Sequence, residues 1–328
     1  MMKKIVLGGS MNISLAPLEG ITVAAFRRLH HTYFPGVDRY YTPFLSPTSD
    51  RRFTPKEQRE FFPEYNEGIP VIPQILAKDP HDLLWAANEL AHMGYEEVNI
   101  NLGCPSGTVT AKGKGAGMLS DPEKLDAFLD TVYGSAPCKI SVKTRLGMDT
   151  PEEFDRILAI YKKYPISELI IHPRVRKDLY RHPVRPEAFE TAYRNYDHPI
   201  TYNGSIVTPS DYDACIARFP DLYGIMIGQG LISDPFLAGK ITGCSKPDKA
   251  ILKEFHDQLF ESYALQFQSR NNAATRMKEL WFYLIKSFDD GDTYGKKLMR
   301  CRSAEEFLSI IDTIFQELEL LDVSRGGW

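Results

Sequence analysis

Residues 99–105 read Asn-Ile-Asn-Leu-Gly-Cys-Pro, and Cys104 stands between a glycine and a proline just after an apolar, strand-like run. A thiol in that setting is presented at the mouth of a loop. A free thiol has a pKa of about 8.5, so at neutral pH it carries its proton and can donate it. Use as a nucleophile would call for a histidine base or a helix N-terminus to lower that pKa, and no histidine adjoins Cys104 in sequence. The other reading is a packed, inert cysteine, a common fate of this residue.

Polar residues recur at the ends of other apolar runs. Pro17-Leu18-Glu19-Gly20 follows the first and Gln74 lies in the third. Asn99, Asn101 and Cys104 end the fourth, Lys143 and Arg145 the fifth, and His172 and Arg174 the sixth. Asn203-Gly204-Ser205 ends the seventh and Gly228-Gln229-Gly230 the eighth. The small residues in the last two turns let backbone N–H groups approach a phosphate closely. An ammonium at Lys143, deeper in the same site, can stabilise negative charge on a cofactor ring, which suits flavin mononucleotide, whose reduced form is an anion. No set of His, Cys, Asp or Glu has the spacing of a metal site, and none is expected.

The elements that must position these residues alternate. Strands are expected at Ile13–Ala16, Val37–Tyr41, Val71–Leu76, Glu97–Asn101, Ile140–Lys143, Glu168–His172, Ile200–Asn203 and Tyr223–Ile227. Between them lie amphipathic stretches with N-cap and proline start signals, at Asp79-Pro80, Asp121-Pro122, Thr150-Pro151 and Thr208-Pro209. Eight strands alternating with helices over this length predict an α/β chain built on a (β/α)8 TIM barrel. A doubly wound sheet would have fewer strands and an early Gly-x-Gly-x-x-Gly turn. After Gly239–Pro247, over residues 248–320, the pattern is helical with almost no strand signal, including Leu252–Phe267, Asn272–Phe288 and Ala304–Leu318. Two domains are expected, a barrel over residues 1–242 and a small all-helical bundle over 243–328.

Bulk properties narrow the class. The 328 residues are 43% hydrophobic and 25% charged, the composition of a globular chain with a sizeable core. Net charge is −4, so there is no global pull toward nucleic acid, and any such partner must meet a local basic face. Five cysteines, far apart and without a Cys-x-x-Cys pair, fit a reducing compartment better than a disulfide framework. The opening Met-Met-Lys-Lys-Ile-Val-Leu has too short an apolar run for a signal peptide, and no stretch approaches a membrane span. A cytoplasmic monomer without membrane attachment is expected.

Several of these segments together resemble the tRNA-dihydrouridine synthases. Ala16-Pro17-Leu18-Glu19-Gly20, Asn101-Leu102-Gly103-Cys104-Pro105, Ser141-Val142-Lys143-Thr144-Arg145-Leu146-Gly147, Ile171-His172-Pro173-Arg174, Asn203-Gly204 and Met226-Ile227-Gly228 follow in that family's order and spacing. The resemblance covers the barrel, and the tail is similar to the family's RNA-binding bundle. It implies FMN held by Pro17, Leu18, Glu19, Gln74, Lys143, His172, Asn203, Gly204, Ser205, Gly228 and Gln229. It implies NADPH (or NADH) as electron donor, hydride delivery from flavin N5 to C6 of a tRNA uracil, and a proton from Cys104 to C5. Substrate contacts are expected from Asn101, Arg145, Arg174 and Tyr180. Asn101 either orients the amide edge of the uracil or caps the strand end.

Departures are specific. Gln229 stands where that family usually has arginine, Gly107 where lysine is common, and Asn99 where aspartate is frequent. The tail holds 12 Lys or Arg against 14 Asp or Glu over 246–328, so it is not basic overall. Its cations cluster in Arg276/Lys278/Lys286 and in Lys296/Lys297/Arg300/Arg302. In the loop after the sixth strand Arg174, Arg176, Lys177 and Arg181 surround Tyr180, a combination that can hold phosphates and stack a base. Two other readings stand beside the tRNA one: a flavin-barrel oxidoreductase acting on a small molecule such as a free pyrimidine, and an RNA-binding homologue with weakened catalysis.

Overall fold

A computed structural model describes residues 11–325; the signal-like run at the N-terminus lies outside the described residues. Nine parallel strands form the sheet: β1 Asn12–Leu15, β2 Arg39–Tyr41, β3 Val71–Ile72, β4 Gln74–Ile75, β5 Glu97–Leu102, β6 Lys139–Arg145, β7 Leu169–His172, β8 Ile200–Tyr202 and β9 Gly224–Ile227. Their spatial order is β3-β2-β1-β9-β8-β7-β6-β5-β4.

β3 and β4 are the two halves of the expected third strand. Pro73 separates them because it has no N–H to give to a ladder, while its carbonyl still accepts the amide of Asn99 at 2.8 Å. The chain therefore closes the sheet on itself, with Leu45 pairing Ile75 beside the break. Eight strand positions ringed by helices make the (β/α)8 barrel, followed by a helical C-terminal region.

Helix starts follow the expected chemistry at three of four places. Asp79 caps Pro80–His92, Asp121 caps Pro122–Gly134, and Thr208 and Asp211 form a capping box on Pro209–Arg218. At Thr150-Pro151 the helix instead begins at Glu153. The Glu153 carboxylate accepts the amides of Met148, Asp149 and Thr150 at 2.8–2.9 Å, so the preceding residues are held in a turn.

Strand alternation decides which side chains point into the barrel. Ala16, Tyr41, Ile72, Ile170 and Met226 form a separate apolar cluster, joined by the polar Gln74, Asn99 and Ser141, all fully buried. At the N-terminal ends of the strands the buried Glu168 accepts from Arg39 at 3.0 Å and Tyr41 at 3.2 Å, and also from Thr201. That network ties β2, β7 and β8 at the end where barrels place stability rather than chemistry.

The tail forms helices Lys249–Phe267, Arg270–Leu284, Gly291–Arg300 and Ala304–Glu317. Their centre is Trp281, fully buried, with His256, Phe288 and Phe315 around it at ring-centroid distances of 5.6–6.0 Å. The apolar core runs without a break from barrel to bundle. Arg276 donates to the Gly20 carbonyl at 3.1 Å, Tyr33 to Glu254 at 2.8 Å, and Lys240 to the Asp322 carbonyl at 2.6 Å across the same interface. No helix among the described residues is long and apolar enough to cross a membrane.

Candidate active site

The loop after β5 is built around Asn101. Its Oδ1 accepts the amides of Gly103 at 3.1 Å and Cys104 at 2.9 Å, while its Nδ2 donates to Gln74 Oε1 at 2.7 Å. Gln74 Nε2 in turn donates to Asn99 Oδ1 at 2.8 Å, and Asn99 Nδ2 to Ser141 Oγ at 3.0 Å. This buried chain of amides links β4, β5 and β6 to the backbone of Cys104. A carboxylate at position 99 would accept from both sides, so Asn99 fixes one direction for the whole chain.

Two further contacts hold the cysteine. Arg145 Nε donates to the Gly103 carbonyl at 2.9 Å and its other arm to the Val175 carbonyl at 3.0 Å, joining the loops after β5 and β7. Gly115, at φ +58°, lies so close that an added Cβ would sit 2.9 Å from the Cys104 carbonyl oxygen and 3.0 Å from Cys104 Cβ. Burial pushes the Cys104 thiol pKa up, partly offset by a backbone hydrogen bond and by Arg145 and Lys143. The thiol therefore keeps its proton at neutral pH, as a proton donor must.

Beside this loop, a cleft opens at the carboxyl ends of the strands. Pro17, Leu18, Lys143, His172, Arg174, Tyr180, Asn203, Gly204, Ser205, Gly228 and Gln229 line it, with Ala16, Ile206, Val207, Met226, Ile227 and Gly230. Glu19, Gln74, Asn101, Cys104 and Arg145 are not among the lining residues. Glu19 is partly exposed and pairs with Lys56 at 2.8 Å, and Arg145 lies with its guanidinium 5.2 Å from the Tyr180 ring centre.

The cleft is positive. No carboxylate is among its lining residues. Burial first, then the neighbouring Arg145 charge, brings the Lys143 ammonium down to about 7. His172 is held neutral, far below its ordinary value, by burial and then by Arg145, Lys143 and Arg174. Arg174 donates to His172 Nε2 at 2.7 Å, so the neutral ring carries its proton on Nδ1. The same guanidinium donates to the His182 carbonyl at 2.6 Å and to Ser205 Oγ at 3.2 Å.

Main-chain donors complete the cleft. Among the described residues the amides of Gly204, Ser205, Ile206 and Gly228 donate no hydrogen bond, and Gln229 and Gly230 open a short helix whose first amides have no partner within it. The two turns are packed against each other: an added Cβ at Gly230 would lie 2.2 Å from the Ile206 carbonyl oxygen. Partnerless amides beside Lys143 and Arg174 are a donor set for a phosphate and an anionic ring, and they fit a flavin mononucleotide.

Two participants, Ser141 and Gly115, are not among the site residues expected from the sequence. Ser141 was detectable as the inward neighbour of Lys143 two positions on. Gly115 carries no local sign of its contact with Cys104. The Gln229 side chain, standing in place of an arginine, hydrogen-bonds Tyr283 of the bundle. The expected basic cluster on the tail is also partly used up, since Arg276 holds Gly20 and Lys278 donates to the Cys301 carbonyl at 2.6 Å.

Comparison with known proteins gives this geometry a context. A model of the dihydrouridine synthase family matches residues 14–319. The tRNA-dihydrouridine(16) synthase of Pseudomonas putida is 28% identical over 303 residues, covering 88% of this chain and 93% of that protein. The enzyme of the same name from Cupriavidus necator is 31% identical over 242 residues, 70% of this chain and 73% of that protein. A probable tRNA-dihydrouridine synthase of Synechocystis is 28% identical over 323 residues, 93% of this chain and 86% of that protein. Among solved structures, a morphinone reductase variant in complex with tetrahydroNAD shares the barrel fold at a TM-score of 0.51 and 10% identity, over 73% of this chain and 89% of that one. With its family match running through barrel and bundle alike, the chain belongs to the dihydrouridine synthase family of flavin-dependent oxidoreductases.

Proposed function

We propose that this chain is an FMN-dependent, NADPH-consuming tRNA-dihydrouridine synthase, and that its target is uridine 16, the position in the names of the P. putida and C. necator relatives. The observation that carries the reading is the Cys104 loop, held by Asn101 and Arg145 at the barrel end that carries the anion cleft.

The free amides of Gly204, Ser205, Gly228 and Gln229 would hold the FMN phosphate, with Arg174 steadying Ser205. Lys143, His172, Pro17 and Leu18, which line the same cleft, would hold the ring. When bound and reduced, the flavin supplies a hydride to C6 of the uracil.

The chain's own residues do the rest. Saturating C6 leaves negative charge spread over C5 and the adjacent carbonyl, and Cys104 neutralises it by delivering its thiol proton to C5. Asn101 sets where that thiol stands, through two backbone bonds. Arg145 spans the loops after β5 and β7, and Tyr180, 46% exposed at the mouth, offers a face for a base turned out of its stack. Gln74 takes part indirectly, by orienting Asn101, while Glu19 pairs with Lys56 outside the cleft lining.

The test is to load the chain with FMN, supply NADPH and unmodified tRNA, and read dihydrouridine by mass spectrometry. Dihydrouridine at position 16 is expected. Reduction of free uracil with none of the tRNA would assign the chain to small-molecule chemistry.

A further inference from the structure

A groove on the C-terminal bundle lies outside the cleft. Its walls are helices Arg270–Leu284 and Gly291–Arg300, and Phe282 and Met299 give it an exposed apolar surface over the buried Trp281 and Ile285. Phe282 is 55% exposed and Met299 42%, which is costly for large apolar side chains that nothing covers. Lys286, Lys296 and Arg300 edge the groove, with Asp292 as the one acid. Lys296 and Arg300 form no ion pair or hydrogen bond among the described residues. They are four positions apart and so share one helix face.

Two contacts lead from the groove toward the cleft, through Tyr283 and Gln229. The Phe282 and Tyr283 rings are 5.1 Å apart. Tyr283 hydrogen-bonds Gln229, which lines the cleft. An aromatic platform with cations at its edge matches a nucleobase and its phosphates, since every base offers a π-face and the backbone carries the charge.

We propose that this groove takes one unpaired nucleobase of the tRNA, stacked on Phe282, with the flanking phosphates on Lys296 and Arg300. It rests on the tRNA reading above, and it names a second grip on the substrate at a distance from the reacting uracil.

The experiment measures tRNA affinity of the FMN-loaded full chain by fluorescence anisotropy across a salt series. Phe282→Ala should weaken binding about 5- to 160-fold, the range for losing one stacked base, with the salt slope unchanged. Phe282→Trp should restore affinity. The double variant Lys296→Ala/Arg300→Ala should flatten the salt slope by about 1.5 on a log–log plot. Circular dichroism reports folding, and the double variant, confined to surface cations, keeps the test available should Phe282→Ala unfold. Wild-type affinity and slope in the folded variants would overturn the proposal while leaving the tRNA reading intact. Failure of the wild-type chain to bind tRNA would overturn both. Unchanged tRNA affinity with lost binding to phosphatidylglycerol vesicles would assign the groove to a membrane surface and overturn it as well.

Discussion

Asn101 and Cys104 are joined through backbone rather than through the thiol: Asn101 Oδ1 accepts the Cys104 amide at 2.9 Å and that of Gly103 at 3.1 Å. The reactive group is thereby set by a residue three positions earlier, whose own amide is held by Gln74. Removing either end of this relationship has a different signature. Cys104→Ala should keep FMN bound and lose about 10²- to 10⁴-fold in dihydrouridine formation, the usual worth of a positioned acid. Full activity would remove its role.

Asn101→Ala leaves the thiol in place and strips two loop amides and the Gln74 Oε1 of their partner. It should lower stability by about 1–3 kcal/mol and reduce kcat with Cys104 intact. Thermal unfolding together with single-turnover kinetics checks this, and an unchanged kcat would show that the loop is held by Arg145 and Gly115 alone.

Lys143 gives the cofactor site a pH dependence. Its ammonium is brought to about 7, so near neutrality it is only partly charged. A bound anion favours the charged form and raises its pKa, so binding takes up a proton and weakens as pH rises through 7. Calorimetry of FMN binding at pH 7 in buffers of different ionisation enthalpy should show uptake of about 0.5 proton, and Lys143→Met should abolish it. Identical heats in the wild-type chain would contradict the assignment.

The turns after β8 and β9 depend on Gly230, where a Cβ would meet the Ile206 carbonyl oxygen at 2.2 Å. Gly230→Ala forces backbone apart, and overpacking of this kind costs about 1–3 kcal/mol. A lower melting temperature with loss of bound flavin is expected, read from the melt and from absorbance of the purified protein.

His30 makes the fold sensitive to acid. Buried against Tyr40 at 3.0 Å, its pKa falls to about 3. Below its ordinary value of about 6.5 the unfolded chain binds a proton that the folded chain refuses, so stability falls as pH drops from there toward 3, by about 1.4 kcal/mol per pH unit. His30→Phe should reduce that slope by about one proton in denaturant titrations between pH 4 and 6.

Much of this arrangement was legible in the sequence because it rests on local signals. Strand alternation put Asn101, Lys143 and His172 at strand ends, and Asp79, Asp121 and Thr208 announced their helices. The split at Pro73 followed from a missing N–H, yet whether it ended the strand or only notched it depended on Leu45 arriving alongside. Helix Gly291–Arg300 is amphipathic but short and strongly polar, with only Gly291 and Leu298 buried, so few apolar residues marked it. Contacts between distant segments left no mark: Gly115 against Cys104, Arg276 on Gly20 and Gln229 with Tyr283 each join loops or domains that only the closed fold brings together. For the same reason the basic residues of the tail could be counted but not sorted into those that grip the barrel and those that remain available.

The central claim, that Cys104 and the anion cleft together reduce a tRNA uridine, is tested most directly by incubating FMN-loaded protein with NADPH and unmodified tRNA and mapping dihydrouridine by mass spectrometry, wild type beside Cys104→Ala. The account predicts dihydrouridine at position 16 with the wild-type chain and a loss of at least about 10²-fold with the variant. Equal product from both, or none from the flavin-loaded wild-type chain, would contradict it.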